Sequence, residues 1–487
     1  MEKNRRGLAQ HHIDGMWVNS GTHQVSADPA TGEDIGKYVM GTEAEATDAI
    51  DAAHRAFTTT SWAHDRELRA RVLNRMADAF EERIPEVVEL LGLENGKVHR
   101  HGELEVAIVP KTLRFNAALA LTDTGKAAAV GPADFGMVVR QPAGVAGVIA
   151  PWNSPFALAV RSLAPALAAG ATVVASMPSQ TAQCNALLAE ILCGVDELPA
   201  GVLNVVIGGR DTGDALVRSP RVPVVSFTGS TTTGKAISAT AAENLKRLGL
   251  ELGGKTPLVV FDDADLEATV PVLVDALTVF AGQFCMTGSR LLVHRAVAGE
   301  VVDALRQRLE RLRIGPAADP ASEMGPVLDK DNVNRIERLV NEAIEAGAQP
   351  VLRGGPFVEG PLSAGAFYSP TLLRIADSKL PIAQNEVFGP VMTIQEFTDD
   401  DEAVALANDS NYGLAAAIFT RDHERAVRLA QSIEAGTVWI NTWAALFDQF
   451  EEGGFKDSGL GRMRGTAVLD DFLEYKHIQF VTTPAQS

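Results

Sequence analysis

Residues 225–236 read VSFTGSTTTGKA: an apolar strand runs into Gly229, four residues follow, and Gly234-Lys235 opens a helical pattern. Two ligands suit that spacing. In an ATP-binding loop the lysine is followed by Ser or Thr, whose hydroxyl holds magnesium, and here Ala236 follows Lys235. The stretch Leu258-Val259-Val260-Phe261-Asp262 imitates the metal-binding strand of such proteins, yet apolar residues before an Asp end many buried strands. In a dinucleotide-binding turn, Gly229 and Gly234 allow close backbone approach, and the helix N-terminus offers free N–H groups and partial positive charge to a pyrophosphate. A third alternative is turn chemistry alone.

The surrounding chain supports a strand–turn–helix reading. VAGVIA (145–150), ATVVAS (171–176), VLNVVIG (202–208) and PVVSF (223–227) are short β-branched runs separated by the helical patterns RSLAPALAAG, TAQCNALLAEILCGV and DTGDALVRS. Such alternation predicts βαβ units and a doubly wound parallel sheet, whose ligands sit beyond the carboxyl ends of the strands. A second α/β region is predicted from Leu252, with strands at 258–261, 289–294 and 391–397 and amphipathic helices in VAGEVVDALRQRLERL and DNVNRIERLVNEAIEAG. Residues 122–141 fit neither sheet and read as paired strands. There is no internal repeat.

Composition narrows the function classes. The 487 residues carry 43 basic and 62 acidic side chains, a net charge of -19, which speaks against a nucleic-acid partner. Three cysteines, Cys184, Cys193 and Cys285, suggest neither a disulfide framework nor, without CxxC spacing, a zinc site, and no metal is expected. MEKNRRGLAQHH lacks the apolar core of a secretory signal, and the longest apolar run is broken by prolines, so no membrane association and a cytoplasmic location are expected.

Three residues stand out for chemistry. Cys285, in FAGQFCMTGSR, lies in a glycine-flanked loop where nearby backbone N–H groups would lower a thiol pKa, although a lone cysteine is more often a buried structural residue. Glu251 ends an apolar strand just before Gly253-Gly254, where a carboxylate either caps a turn or acts as a general base. Asn153, in PWNSPF, follows the strand at 145–150; its amide is either an oxyanion donor or a turn residue.

PWNSPF, SFTGSTTTGKAI, ELGGKTP, GQFCMTGSR, NEVFGPV, NYGLAAAIFT, GTVWINTW and GGFKDSGLGR occur in this order, and with them nearly the whole chain resembles the aldehyde dehydrogenase superfamily. The resemblance implies an α/β fold with a Rossmann-type cofactor domain (1–121 and 142–252), a catalytic domain (253–465) and a small oligomerisation sheet (122–141 and 466–487). It implies oxidation of an aldehyde to a carboxylic acid through a cysteine thiohemiacetal and thioester, with NAD as cofactor and NADP possible, in a homodimer or homotetramer. Cys285 matches the nucleophile, Glu251 the base for the hydrolytic water, and Asn153 the oxyanion donor. Gly229, Ser230 and Gly234 match the pyrophosphate turn, and Glu386, Phe388 and Trp152 match residues along the nicotinamide half of the cofactor. An acylating enzyme that passes its thioester to coenzyme A is the nearest rival, and Glu251 argues against it.

The sequence also departs from its family. Ser176 and Ser179 stand where Lys and Glu usually contact the adenosine ribose. Arg161 and Ser162 occupy sites where the family often has an aromatic or Arg and then Lys; Arg161 either meets a substrate carboxylate or, the better reading, forms a surface or structural salt bridge. Glu451-Glu452 replaces Pro-Phe before a Gly-Gly pair, changing the charge near the expected substrate mouth. Leu158, Phe284, Leu446, Phe447 and Phe450 are candidate walls of a mainly apolar substrate pocket.

Overall fold

The computed structural model describes residues 7–481. The outermost residues of the expected cofactor and oligomerisation segments, 1–6 and 482–487, lie outside the described residues.

The first sheet is built on five parallel strands in the spatial order Arg247–Glu251, Val224–Thr228, Val145–Ile149, Thr172–Pro178, Leu203–Gly208. Their nearly complete burial explains the continuous β-branched runs. The chain moves outward from Val145–Ile149 in one direction, then returns to lay Val224–Thr228 on the other side of that strand. A switch point of this kind opens a crevice beyond the carboxyl ends of the strands. Antiparallel strands extend both edges: His11–Ile13 and Met16–Val18 at one, and Gly459–Leu460 against Leu250 and Glu251 at the other.

Helix Pro155–Ala169 leaves the central strand. It starts with proline at its first position and ends at Gly170, whose φ of 95° is the left-handed conformation that closes a helix. Helix Thr231–Ala241 starts at Ser230, whose hydroxyl accepts the Thr233 N–H at 3.2 Å. The quoted stretch is therefore a strand, a turn and a capped helix.

The second sheet has seven strands in the order Gln349–Leu352, Thr371–Arg374, Val391–Phe397, Gly288–His294, Thr256–Val260, Ala415–Phe419, Thr437–Ile440, parallel except at the first pair. A third sheet pairs Lys126–Ala129 with Asp134–Pro142, and the latter with Leu473–Val481 along nine residues. No helix among the described residues is long and apolar enough to cross a membrane.

Candidate active site

Two cavities open on the carboxyl side of the first sheet's strands. The larger, about 520 Å³, straddles the switch point. Ile149, Val217, Phe227 and Ile237 give it apolar walls, and Ser176, Arg210, Thr232 and Thr233 supply polar groups. Ser176 lies at its floor, buried and hydrogen-bonded to Thr212 at 2.7 Å. Ser179 begins the short 3-10 turn Ser179–Thr181, half-buried. Gly229, Ser230 and Gly234 form the turn and first residues of the helix whose Thr232, Thr233 and Ala236 face the cavity.

The donor set fits a dinucleotide. Flat apolar walls suit an adenine, and the start of an eleven-residue helix suits a pyrophosphate. Glu386 and Phe388 lie farther along: the Glu386 carboxylate accepts the Gly254 N–H at 3.3 Å, and Phe388 meets Trp152 edge-on with ring centroids 5.5 Å apart. Burial pushes the Glu386 carboxyl up to about 7.

Four segments converge on Cys285, and two glycines let them. A Cβ on Gly254 would stand 2.3 Å from the Cys285 carbonyl, and one on Gly282 would stand 2.3 Å from the Gly389 carbonyl carbon. The strand-end loop of Glu251 and the loop of Glu386 thus press directly on the cysteine loop. That loop is bent by three successive left-handed residues, Phe280, Ala281 and Gly282 (φ 50°, 55° and 74°). Two of these are not glycine, a strain that packing must hold in place. Asn153 arrives from the end of the central strand and donates its amide to the Gln283 carbonyl at 3.0 Å. An amide nitrogen carries two hydrogens, so one remains for another acceptor. Among the described residues the Cys285 N–H has no main-chain partner.

Sequence reasoning expected backbone N–H groups to lower the Cys285 thiol pKa. The structure reverses that expectation: burial pushes the thiol up to about 12, and the Arg161 cation only partly opposes it. Glu251, more deeply buried than Cys285, is pushed up to about 8 by desolvation. One of its oxygens, Oε1, is buried with no hydrogen-bond partner.

The second cavity, about 380 Å³, has Cys285 in its wall beside Leu158, Phe284, Trp443 and Leu446. Phe280, Phe284 and Trp443 form an edge-to-face series with centroids 5.8 Å apart at each step. Phe447 lies elsewhere. It is 55% exposed, packs edge-on against Phe450, and is absent from the cavity wall, which Leu446 supplies instead. The segment 441–454 has no regular element, so no periodicity in the sequence could show which of its side chains point inward.

Arg161 also lines this cavity, with both terminal nitrogens engaged: Nη1 donates to Glu452 Oε1 at 2.9 Å and Nη2 to Thr228 Oγ1 at 3.0 Å. The pair with Glu452 is buried, with neither side chain at the surface. Glu452 is 3% exposed and also pairs with Arg464 Nε at 3.3 Å, while Arg464 Nη1 meets Asp448 at 2.5 Å. Sequence reasoning passed over Arg464 and Asp448.

It also missed Lys97 and Glu105, a fully buried ion pair. Glu105 accepts the N–H groups of Phe156 and Ala157 at 3.0 and 3.3 Å, and Lys97 donates to the Ser154 hydroxyl at 3.1 Å. Together they supply the cap that Ser154 itself does not make, and so fix the start of the helix beside Asn153.

Residues 17–478 match the model of the aldehyde dehydrogenase family. Among curated relatives, betaine aldehyde dehydrogenase of Bacillus subtilis (strain 168) is 37% identical over 479 residues, covering 97% of each chain. An aldehyde dehydrogenase of Enchytraeus buchholzi is 37% identical over 475 residues, 96% of this chain and 94% of that one. Among solved structures, Staphylococcus aureus betaine aldehyde dehydrogenase in complex with NAD+ superimposes with a TM-score of 0.95 at 35% identity, covering 98% of this chain and 95% of that one. The chain belongs to the aldehyde dehydrogenase family. By that family it is an aldehyde-oxidising enzyme, and the Staphylococcus aureus relative binds NAD+.

Proposed function

We propose that Cys285 is the nucleophile, that Asn153 and the Cys285 N–H hold the oxyanion, and that Glu251 is the base that hydrolyses the thioester. The observation that carries this reading is the convergence of the Asn153 amide and the strand-end loop after Glu251 on the loop of Cys285, with an unused amide hydrogen on Asn153 and an unpartnered carboxylate oxygen on Glu251. In this reading the Cys285 thiol gives its proton to water, with the Arg161 cation favouring the thiolate; the sulfur then adds to the aldehyde carbon, and the carbonyl electron pair moves to the oxygen, where the two N–H donors meet it. NAD, when bound, supplies the acceptor for the hydride that leaves the thiohemiacetal carbon and makes it a thioester. Glu251 then takes a proton from water, whose oxygen adds to the thioester; the C–S bond breaks and the carboxylic acid departs.

The cofactor would lie with its adenine against Ile149, Val217, Phe227 and Ile237 and its pyrophosphate over the turn of Gly229, Ser230 and Gly234. Ser176 and Ser179 would stand near the adenosine ribose, and Glu386, Phe388 and Trp152 toward the nicotinamide. Neither serine brings a carboxylate that would repel a 2′-phosphate, so NADP is the second cofactor to assay. The cofactor, catalytic and oligomerisation segments would be built on the first, second and third sheets described above. Leu158, Phe284 and Trp443 favour a mainly apolar aldehyde. In the third sheet Phe135 stacks on exposed Phe480, with Val130, Ile478 and Val481 also exposed, which supports a homodimer or homotetramer through this sheet. A cytoplasmic location accords with this reading.

The deciding experiment follows NAD and, separately, NADP reduction with aliphatic, aromatic, carboxylated and betaine aldehydes. Turnover that disappears in Cys285→Ala while cofactor binding persists is expected. Turnover that survives the substitution removes Cys285 from the chemistry.

A further inference from the structure

Glu251 is a buried carboxylate with a buried cation beside it, Arg161 Nη1 at 4.0 Å from Oε2. A full salt bridge between them would make a poor base, because its acceptor sites would be filled and its charged form stabilised. The guanidinium is turned elsewhere. Nη1 is held by Glu452 and Nη2 by Thr228, and Glu452 is anchored in turn by Arg464.

We propose that Glu452 is a positioning residue for the reaction: by occupying Arg161 it holds the cation near Glu251 without contact, leaving the Glu251 carboxylate free to take a proton from water. The inference rests on Glu251 as the base. The charged and titratable groups that face Glu251 come from four elements: Arg161 from helix Pro155–Ala169, Glu452 and Arg462 from the segment before the final 3-10 turn, Asp471 from that turn, and Cys285 from its loop. Of these, Arg161 and Arg462 favour the ionised base, and Glu452 and Asp471 oppose it. Burial alone would raise the Glu452 carboxyl, but Arg464 and Arg161 hold it below its ordinary value, so it stays an anion while the base titrates. Loss of its charge therefore acts twice in one direction, removing a repulsion from Glu251 and releasing Arg161 toward it.

The test acylates Cys285 with an activated ester such as 4-nitrophenyl acetate and follows deacylation against pH by intact mass, with no redox step involved. In Glu452→Gln the acid limb should move down by about one pH unit and the plateau should fall roughly tenfold. In Arg161→Met the limb should move up. The double variant Arg161→Met/Glu452→Leu removes both charges together, a change that buried pairs often tolerate, and its limb should return toward that of the unaltered enzyme. An unmoved limb in Glu452→Gln, or a double variant that keeps the low limb, overturns the proposal. Glu251→Gln in the same assay separates the two readings. If it deacylates normally, the base assignment fails and this proposal with it; if it stalls while Glu452→Gln shifts nothing, only the positioning role fails.

Discussion

The main-chain N–H of Gly229 donates to the carbonyl of Glu251 at 3.0 Å. The turn that faces the cofactor cavity and the strand end that carries the proposed base are adjacent parallel strands in register, Thr228 beside Glu251. A displacement of the turn is therefore a displacement of the base. Arg161 adds a second tie, since it reaches Thr228 on one side and approaches Glu251 on the other.

Cys285→Ala should lower turnover by roughly four orders of magnitude or more while leaving the NAD dissociation constant within about twofold. Steady-state rates with a fluorescence titration of the cofactor check both halves.

Asn153→Ala removes one oxyanion donor and should cost about 10²–10³-fold in kcat with little change in cofactor affinity. Because the amide also ties down the Gln283 carbonyl, Asn153→Asp is the informative companion. It keeps the size and loses the donor, and it should be no more active than the alanine variant.

Glu251 must be deprotonated to serve as a base, and its carboxyl is pushed up to about 8. Deacylation should therefore climb as pH rises toward 8 and level off above it. Glu251→Gln should abolish that limb, slow hydrolysis by about 10²–10⁴-fold, and let an acylated protein accumulate that mass spectrometry detects.

Lys97→Met leaves Glu105 buried without its cation and should destabilise the protein by about 3–5 kcal/mol, read by denaturant or thermal melting. The helix start that carries Asn153 depends on Glu105, so activity near room temperature should fall as well. The Lys97→Met/Glu105→Leu double variant should recover part of the stability and less of the activity.

Phe480→Asp places a charge in the exposed stacked pair of the third sheet. If that sheet joins copies of the chain, sedimentation should show a smaller species with the monomer's fold intact by circular dichroism. An unchanged sedimentation coefficient would redirect attention to another face.

The parallel strands were legible because burial on both faces leaves a signature of consecutive Val, Ile and Ala, as in VAGVIA and VLNVVIG. Cys285, Glu251 and Asn153, the proposed catalytic trio, were singled out through the ordered motifs around them. Side-chain partners were not. Glu452 stood out as an unexpected acid, yet nothing local pointed to Arg161, which lies nearly three hundred residues earlier. Nothing in the sequence singled out Lys97 and Glu105, because burial depends on what packs over them. Phe447 and Leu446 are neighbours in an irregular loop, where only three-dimensional placement separates wall from surface.

The short strand Gly459–Leu460 closes the edge of the first sheet beside Leu250 and Glu251. During synthesis, the strand carrying Glu251 leaves the ribosome long before its last neighbour exists. Until residues near 460 emerge, that edge presents unpaired N–H and C=O groups, the kind of template on which unfinished chains aggregate. The proposed base is thus among the last parts of the molecule to acquire its surroundings, and C-terminal truncations that remove Gly459–Leu460 while sparing Cys285, Glu251 and Asn153 should yield insoluble protein.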